Sequence, residues 1–188
     1  MLLTKYVIMK MERYNFNQVN ILPDILAPNL DVIFCGSAAG KASMEASAYY
    51  AGPGNMFWTI LFETGITSCS LSPKEYYLVL NYGVGLTDLN KKQFGSDSEL
   101  DRELYDTDKL CGVIKEYKPK VLAFNGKKAG SEFMRQVLDL KVKSYGIQEV
   151  KYNDVKLSIL PSTSGAARRW WDDSHWYDLA QLISKTKY

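Results

Sequence analysis

The chain has 188 residues, 46% hydrophobic and 23% charged, with 23 Lys+Arg against 21 Asp+Glu for a formal net charge of +2. A single domain of this size buries roughly 70% of the surface its unfolded chain exposes, and the composition excludes disordered, collagen-like and metal-dependent miniature classes. Cys35, Cys69 and Cys111 are widely spaced, with no CxxC pair and no histidine cluster, so reduced thiols of a cytosolic protein are expected rather than a zinc site or a disulfide scaffold.

The opening stretch 1–15, MLLTKYVIMKMERYN, is apolar but interrupted by Lys5, Lys10 and Arg13, too short and too charged for a membrane span or signal core. Short apolar runs bounded by turn residues predict strands over 31–36 (DVIFCG), 84–89 (VGLTDL), 120–125 (KVLAFN) and 156–160 (KLSIL). Helices are predicted between and after them. One covers 55–64, with Phe57, Trp58, Leu61 and Phe62 on one face and Gly65 beyond its end. Another opens at Ser72-Pro73, a third covers 99–117, a fourth 126–138 and a fifth 172–184. Strands alternating with helices imply one α/β domain over 1–188, mainly parallel and covered on both faces. Ligands of such folds sit beyond the carboxyl ends of the strands.

The segments at those ends are unusual. After the first strand comes GSAAGK, which is one residue short of a phosphate loop and has Ala42 where a magnesium-binding hydroxyl belongs, so nucleotide hydrolysis is excluded. The bland alternative is a plain strand-to-helix turn; the other is a small-residue loop that brings backbone N–H groups close to a flat ligand. Next comes YYAGPGNMFW, two tyrosines before a Gly-Pro-Gly turn, with Asn55 either capping the following helix or orienting a water. After the last predicted strand, LPSTSGAARR reads either as a solvated turn or as a phosphate-gripping loop with an arginine able to enter a groove. Asn125-Gly126-Lys127-Lys128 places two lysines at a helix N-terminus, which suits an anion.

Taken in order, GSAAG, YYAGPGNMFW, GVGLTDLN, LAFNGKKA and LPSTSGAARR resemble the uracil-DNA glycosylase superfamily, closest to its mismatch-specific uracil/thymine branch and its hypoxanthine branch. The resemblance spans 31–169. It implies a three-layer α/β/α sandwich around a four-stranded, mainly parallel sheet, and a monomer acting without cofactor or metal on double-stranded DNA with a damaged or mismatched base. The implied reaction flips out a deaminated base, uracil or hypoxanthine, and hydrolyses its bond to the sugar in base-excision repair. A cytoplasmic protein is expected, nucleoid-associated in a bacterium or archaeon.

The resemblance also implies roles. Gly36, Ser37 and Ala38 would offer groups to the base edge and Tyr50 would stack on the extruded base. Ser162 and Ser164 would grip phosphates, Gly165, Ala166 and Arg168 would fill or probe the vacated space, and Asn125 and Lys127 would add a second DNA contact. Ala38 stands where the mismatch-specific branch has the asparagine that positions water, and alanine cannot do so. Asn55 is then the first candidate for catalysis and Glu45 the second, as a carboxylate able to accept a proton. His175 is read as a structural residue of the last helix. A DNA-binding module that lost catalysis is the alternative in a different class, and a small-molecule α/β enzyme is a third. The near-neutral total does not oppose DNA, because 109–169 alone carries 13 basic and 5 acidic residues while 97–108 carries 1 and 6.

Overall fold

The computed structural model describes residues 20–185, so the opening stretch read as too charged for a membrane lies outside it. One sheet organises the chain: β1 (Val32–Gly36), β2 (Val84–Asp88), β3 (Val121–Asn125), β4 (Gly146–Tyr152) and β5 (Val155–Leu160), in the spatial order β2-β1-β3-β5-β4. Three of the four pairings in that row are parallel, β1 with β2, β1 with β3 and β3 with β5, and only β4 runs antiparallel, against β5.

The expected four strands are all present, and the sheet has a fifth. β4 escapes a search for apolar runs because it is an edge strand whose residues alternate between exposed and half-buried. It joins β5 through a two-residue turn at Asn153-Asp154, both with positive φ (47° and 65°), the backbone a tight hairpin demands.

Side-chain alternation along the central strands builds two cores. Val32 and Phe34 of β1 face one side, with Phe57, Trp58 and Leu61 of α2 (Phe57–Glu63) and Trp176, Leu179 and Ile183 of α5 (Ser174–Lys185). Ile33 and Cys35 face the other, with Leu110 and Ile114 of α3 (Thr107–Tyr117) and Ala129 and Phe133 of α4 (Lys127–Leu138). These helices on both faces make the three-layer α/β/α arrangement. The short α1 (Lys41–Ala46), which no sequence signal marks, follows β1 directly.

Two helical expectations change. The segment opened by Ser72-Pro73 is a 3-10 helix over Pro73–Tyr82, with Ser72 N donating to the Glu75 carboxylate (2.9 Å). The run 99–117 is divided into a 3-10 turn, Arg102–Leu104, and α3. It breaks because Tyr105 is extended and buried (4% exposed), and the Asp106 side chain then accepts from Lys109 N (2.8 Å) to start α3. No described helix is long and apolar enough to cross a membrane.

Candidate functional site

The four parallel strands place Gly36, Asp88, Asn125 and Leu160 at one edge of the sheet, and the chain leaves that edge in loops that are bonded to one another. Asn125 is the hub. Its Nδ2 donates to Thr163 Oγ1 (2.8 Å), and Thr163 N donates to its Oδ1 (3.0 Å), with both residues buried. Gly126 N donates to Leu160 O (3.1 Å), and Met56 N donates to Thr163 O (2.9 Å). Three segments far apart in sequence, around Met56, Asn125 and Thr163, thus form one rigid rim. Gly165 fits closely there: a Cβ on it would lie 2.9 Å from Pro53 O. Arg168 Nη1 reaches Met56 Sδ at 3.7 Å.

On this rim Ser162 is half-buried, whereas Ser164, Gly165, Ala166 and Arg168 are exposed, and Ser164 N donates to Ser162 Oγ (3.3 Å). Lys127 is exposed at the start of α4, with its Nζ 5.6 Å above the Tyr145 ring. Asn125 turns inward, one amide N–H and one Oδ1 lone pair engaged with Thr163, so it holds the loop in place, and its side chain also lies beside the Tyr50 hydroxyl.

Tyr50 adopts a left-handed backbone (φ 54°), rare for a bulky residue. One face of its ring stacks on Phe57, with centroids 3.9 Å apart and planes at 26°. Its hydroxyl is buried with the Asn125 side chain beside it but makes no well-formed hydrogen bond, and burial, then the nearby Asp88 charge, push the phenol well above its ordinary range while Asn125 draws it only partly back. Gly36 sits between these groups. A Cβ there would overlap the Asp88 carboxylate and stand 3.7 Å from the Tyr50 hydroxyl. Ser37 and Ala38 are half-buried, and Ser37 O accepts from Asn90 N (2.8 Å).

Of the two catalytic candidates, Asn55 is half-buried on the rim, its Oδ1 accepting from Phe57 N (3.0 Å). It therefore anchors the entry to α2 with one oxygen lone pair and retains its amide N–H groups and a second lone pair for other partners. Glu45 is exposed on α1 and, among the described residues, takes no part in the hydrogen bonds that knit the rim. His175 is on α5, 3.8 Å from the Asp172 carboxylate and packed beside Gly146 and Tyr145.

Behind the site lies an ionic cluster that sequence reasoning missed. Lys91, 5% exposed, places Nζ 2.7 Å from Asp24, 3.5 Å from Asp88 and 2.6 Å from the Tyr49 hydroxyl. Lys109 reaches the other Asp24 oxygen at 2.7 Å, and Thr87 Oγ1 donates to Asp24 (2.7 Å). Burial pushes the Asp88 carboxyl up, and Lys91 draws it only partly back. Burial acts upward on Asp24 too, but Lys91 and Lys109 together outweigh it and hold that group below its usual range. The available signal was an acid closing a strand at the ligand edge with a lysine three residues on. Among the described residues no group of three or more His, Cys, Asp and Glu could hold a metal ion.

The model of the uracil DNA glycosylase superfamily matches residues 23–181. A solved structure with the same arrangement is a solution NMR structure of a "putative Uracil DNA glycosylase" from Methanosarcina acetivorans. It is 25% identical, covers 87% of this chain and 96% of its own, and superimposes with a TM-score of 0.61.

Proposed function

This chain belongs to the uracil DNA glycosylase superfamily, and from that premise we propose that it is a monofunctional DNA glycosylase for a deaminated base, uracil or hypoxanthine. One observation carries the reading: the bonded rim at the carboxyl edge of the sheet, where Met56, Asn125 and Thr163 lock together three loops that bear Tyr50, Asn55, Ser162, Ser164 and Arg168. In the reaction a water oxygen bonds to the sugar C1′ as the C1′–N bond breaks, the base departs with the bonding electrons, and a proton from water neutralises it. The sugar is cationic and the base anionic at the transition state, so the protein's part is fixed dipoles and an oriented water. Asn55 is our candidate to orient that water through its free lone pair, with Glu45 in reserve. The Ser162–Arg168 loop would hold the phosphates and occupy the gap left by the flipped base.

End-labelled duplexes carrying uracil, hypoxanthine, xanthine or thymine opposite guanine, treated with alkali after incubation, test this directly. Strand breakage at uracil or hypoxanthine is expected, and no breakage on any substrate at enzyme excess overturns the proposal. Asn55→Ala is expected to slow excision by about 100-fold or more while leaving DNA binding intact; a wild-type rate transfers the role to Glu45. Asn55→Asp keeps an acceptor for Phe57 N and so separates loss of the helix anchor from loss of chemistry.

A specific observation supports a second reading, a DNA-binding module without catalysis: Ala38 offers no side-chain group to water, and Asn55 already serves the backbone. Tight binding to abasic-site DNA with no base release on any duplex would favour it.

A further inference from the structure

Trp170 and Trp171 are neighbours with opposite fates. Trp171 packs against the core, its ring 6.2 Å from that of Trp176, whereas Trp170 is 62% exposed, the most exposed of the large apolar side chains described. A single exposed apolar side chain is ordinary on a protein surface; what sets this ring apart is how it is held and what lies beside it. The ring is not loosely hung. It ends the 3-10 segment Gly165–Trp170, which is fixed at one side by Ala167 N donating to Ser164 O (2.9 Å) and at the other by Trp171 N donating to Arg168 O (3.1 Å). One face of the indole is covered by the Arg169 guanidinium, whose carbon lies 4.5 Å from the ring centroid. That leaves a flat, rigid, cation-backed aromatic face open to solvent, continuous with the Ser162–Arg168 rim.

We propose that Trp170, backed by Arg169, is a stacking platform for an unpaired nucleobase, so that the protein holds single-stranded or locally opened DNA beside its rim. It rests on the reading that this edge of the sheet faces DNA. A nucleobase is the occupant that fits both halves of the surface: its π-face matches the indole and its phosphates match Arg168 and Arg169, both exposed. Two exposed carboxylates follow, Asp172 and Asp173, which the adjacent Arg168 and Arg169 match in number, and Asp172 is turned toward α5, where it accepts from Ser174 N (3.0 Å) and Ser174 Oγ (2.6 Å). A base paired inside an intact duplex presents no free face, so the platform contributes little to duplex binding.

Fluorescence anisotropy with a labelled 15-residue oligothymidylate and a blunt, undamaged duplex of the same length tests this, using the full chain, Trp170→Ala and Trp170→Phe. Neither DNA contains a substrate base, so the result is independent of whether the chain is a glycosylase. Trp170→Ala is expected to weaken single-strand binding by roughly 10-fold, on the scale of one stacked base, with less than twofold loss on the duplex; Trp170→Phe, which keeps a ring, recovers most of it. All affinities should fall between about 50 and 150 mM salt, but the fold-loss of single-strand binding in Trp170→Ala should hold, as stacking is not a counterion effect. Equal losses on both DNAs would make Trp170 a general contact, and unchanged affinities, or no single-strand binding by the wild type, would leave the ring to a protein partner; each of these overturns the proposal. Thermal melts of the variants, expected to match the wild type at so exposed a site, check that folding is intact.

Discussion

Asn125 and Thr163 exchange two hydrogen bonds across 38 residues of chain, Nδ2 to Oγ1 at 2.8 Å and N to Oδ1 at 3.0 Å, in a place where both are buried. The pair fixes the distance between the end of β3 and the loop that follows β5, and Met56 N on Thr163 O extends that constraint to the entry of α2. Breaking it therefore loosens three loops together.

Asn125→Ala should lower stability by about 1–3 kcal/mol, because it leaves the Thr163 N–H and hydroxyl buried and unpaired. Asn125→Asp should recover part of this, since a carboxylate accepts from both Thr163 donors. Chemical denaturation measures the stability. On a cleavable duplex, kcat/KM should fall in Asn125→Ala even at temperatures where the protein is fully folded.

Gly36→Ala tests the crowding at the end of β1. The added Cβ would overlap the Asp88 carboxylate and approach the Tyr50 hydroxyl to 3.7 Å, so a cost of roughly 1–3 kcal/mol is expected from overpacking. Excision should fall by more than the stability loss explains, because the displaced groups line the expected base site. Activity equal to wild type at 20 °C would remove Gly36 from that site.

Tyr50→Phe separates structure from function. A buried hydroxyl that makes no well-formed hydrogen bond contributes little to stability, so deleting it should leave stability within about 1 kcal/mol of wild type. Slower excision in the same variant would show that the hydroxyl serves substrate; unaltered excision would limit Tyr50 to its stacking on Phe57.

Lys91→Met removes the cation shared by Asp24 and Asp88 and should cost about 3–5 kcal/mol at pH 7. The pH dependence follows from the two signs. Asp24, held low, gives stability that is present above its unfolded pKa and lost as pH falls through its folded value. Asp88, pushed up, favours its protonated form on folding, so acidification through its raised pKa adds stability. Without Lys91 the second effect grows and the first shrinks. Melting temperatures of Lys91→Met should therefore climb toward wild type between pH 7 and pH 5, and a constant gap would contradict this account.

The four parallel strands, the two-sided cover and the family motifs were legible in the sequence because each depends on local pattern: apolar runs, turn residues and loop composition. β4 was not, since an edge strand needs no apolar run to pair. Nor was the break at Tyr105, which tertiary burial imposed on a helical pattern.

The site divides in the same way. Its loops could be placed at the carboxyl edge from order alone, and Ser164, Gly165 and Arg168 are found exposed on the rim there. The Asn55 anchor on Phe57 N, two residues on, is local and was one of the two readings its sequence position offered; what only the tertiary structure decided was which distant side chains face each other: that Asn125 turns inward to Thr163, and that Asp88 and Lys91 come together with Asp24 beneath Tyr49. Those relationships join residues dozens of positions apart, and no local period or motif encodes them. They exist because burial leaves each polar group no solvent to turn to, so it must find its partner across the fold.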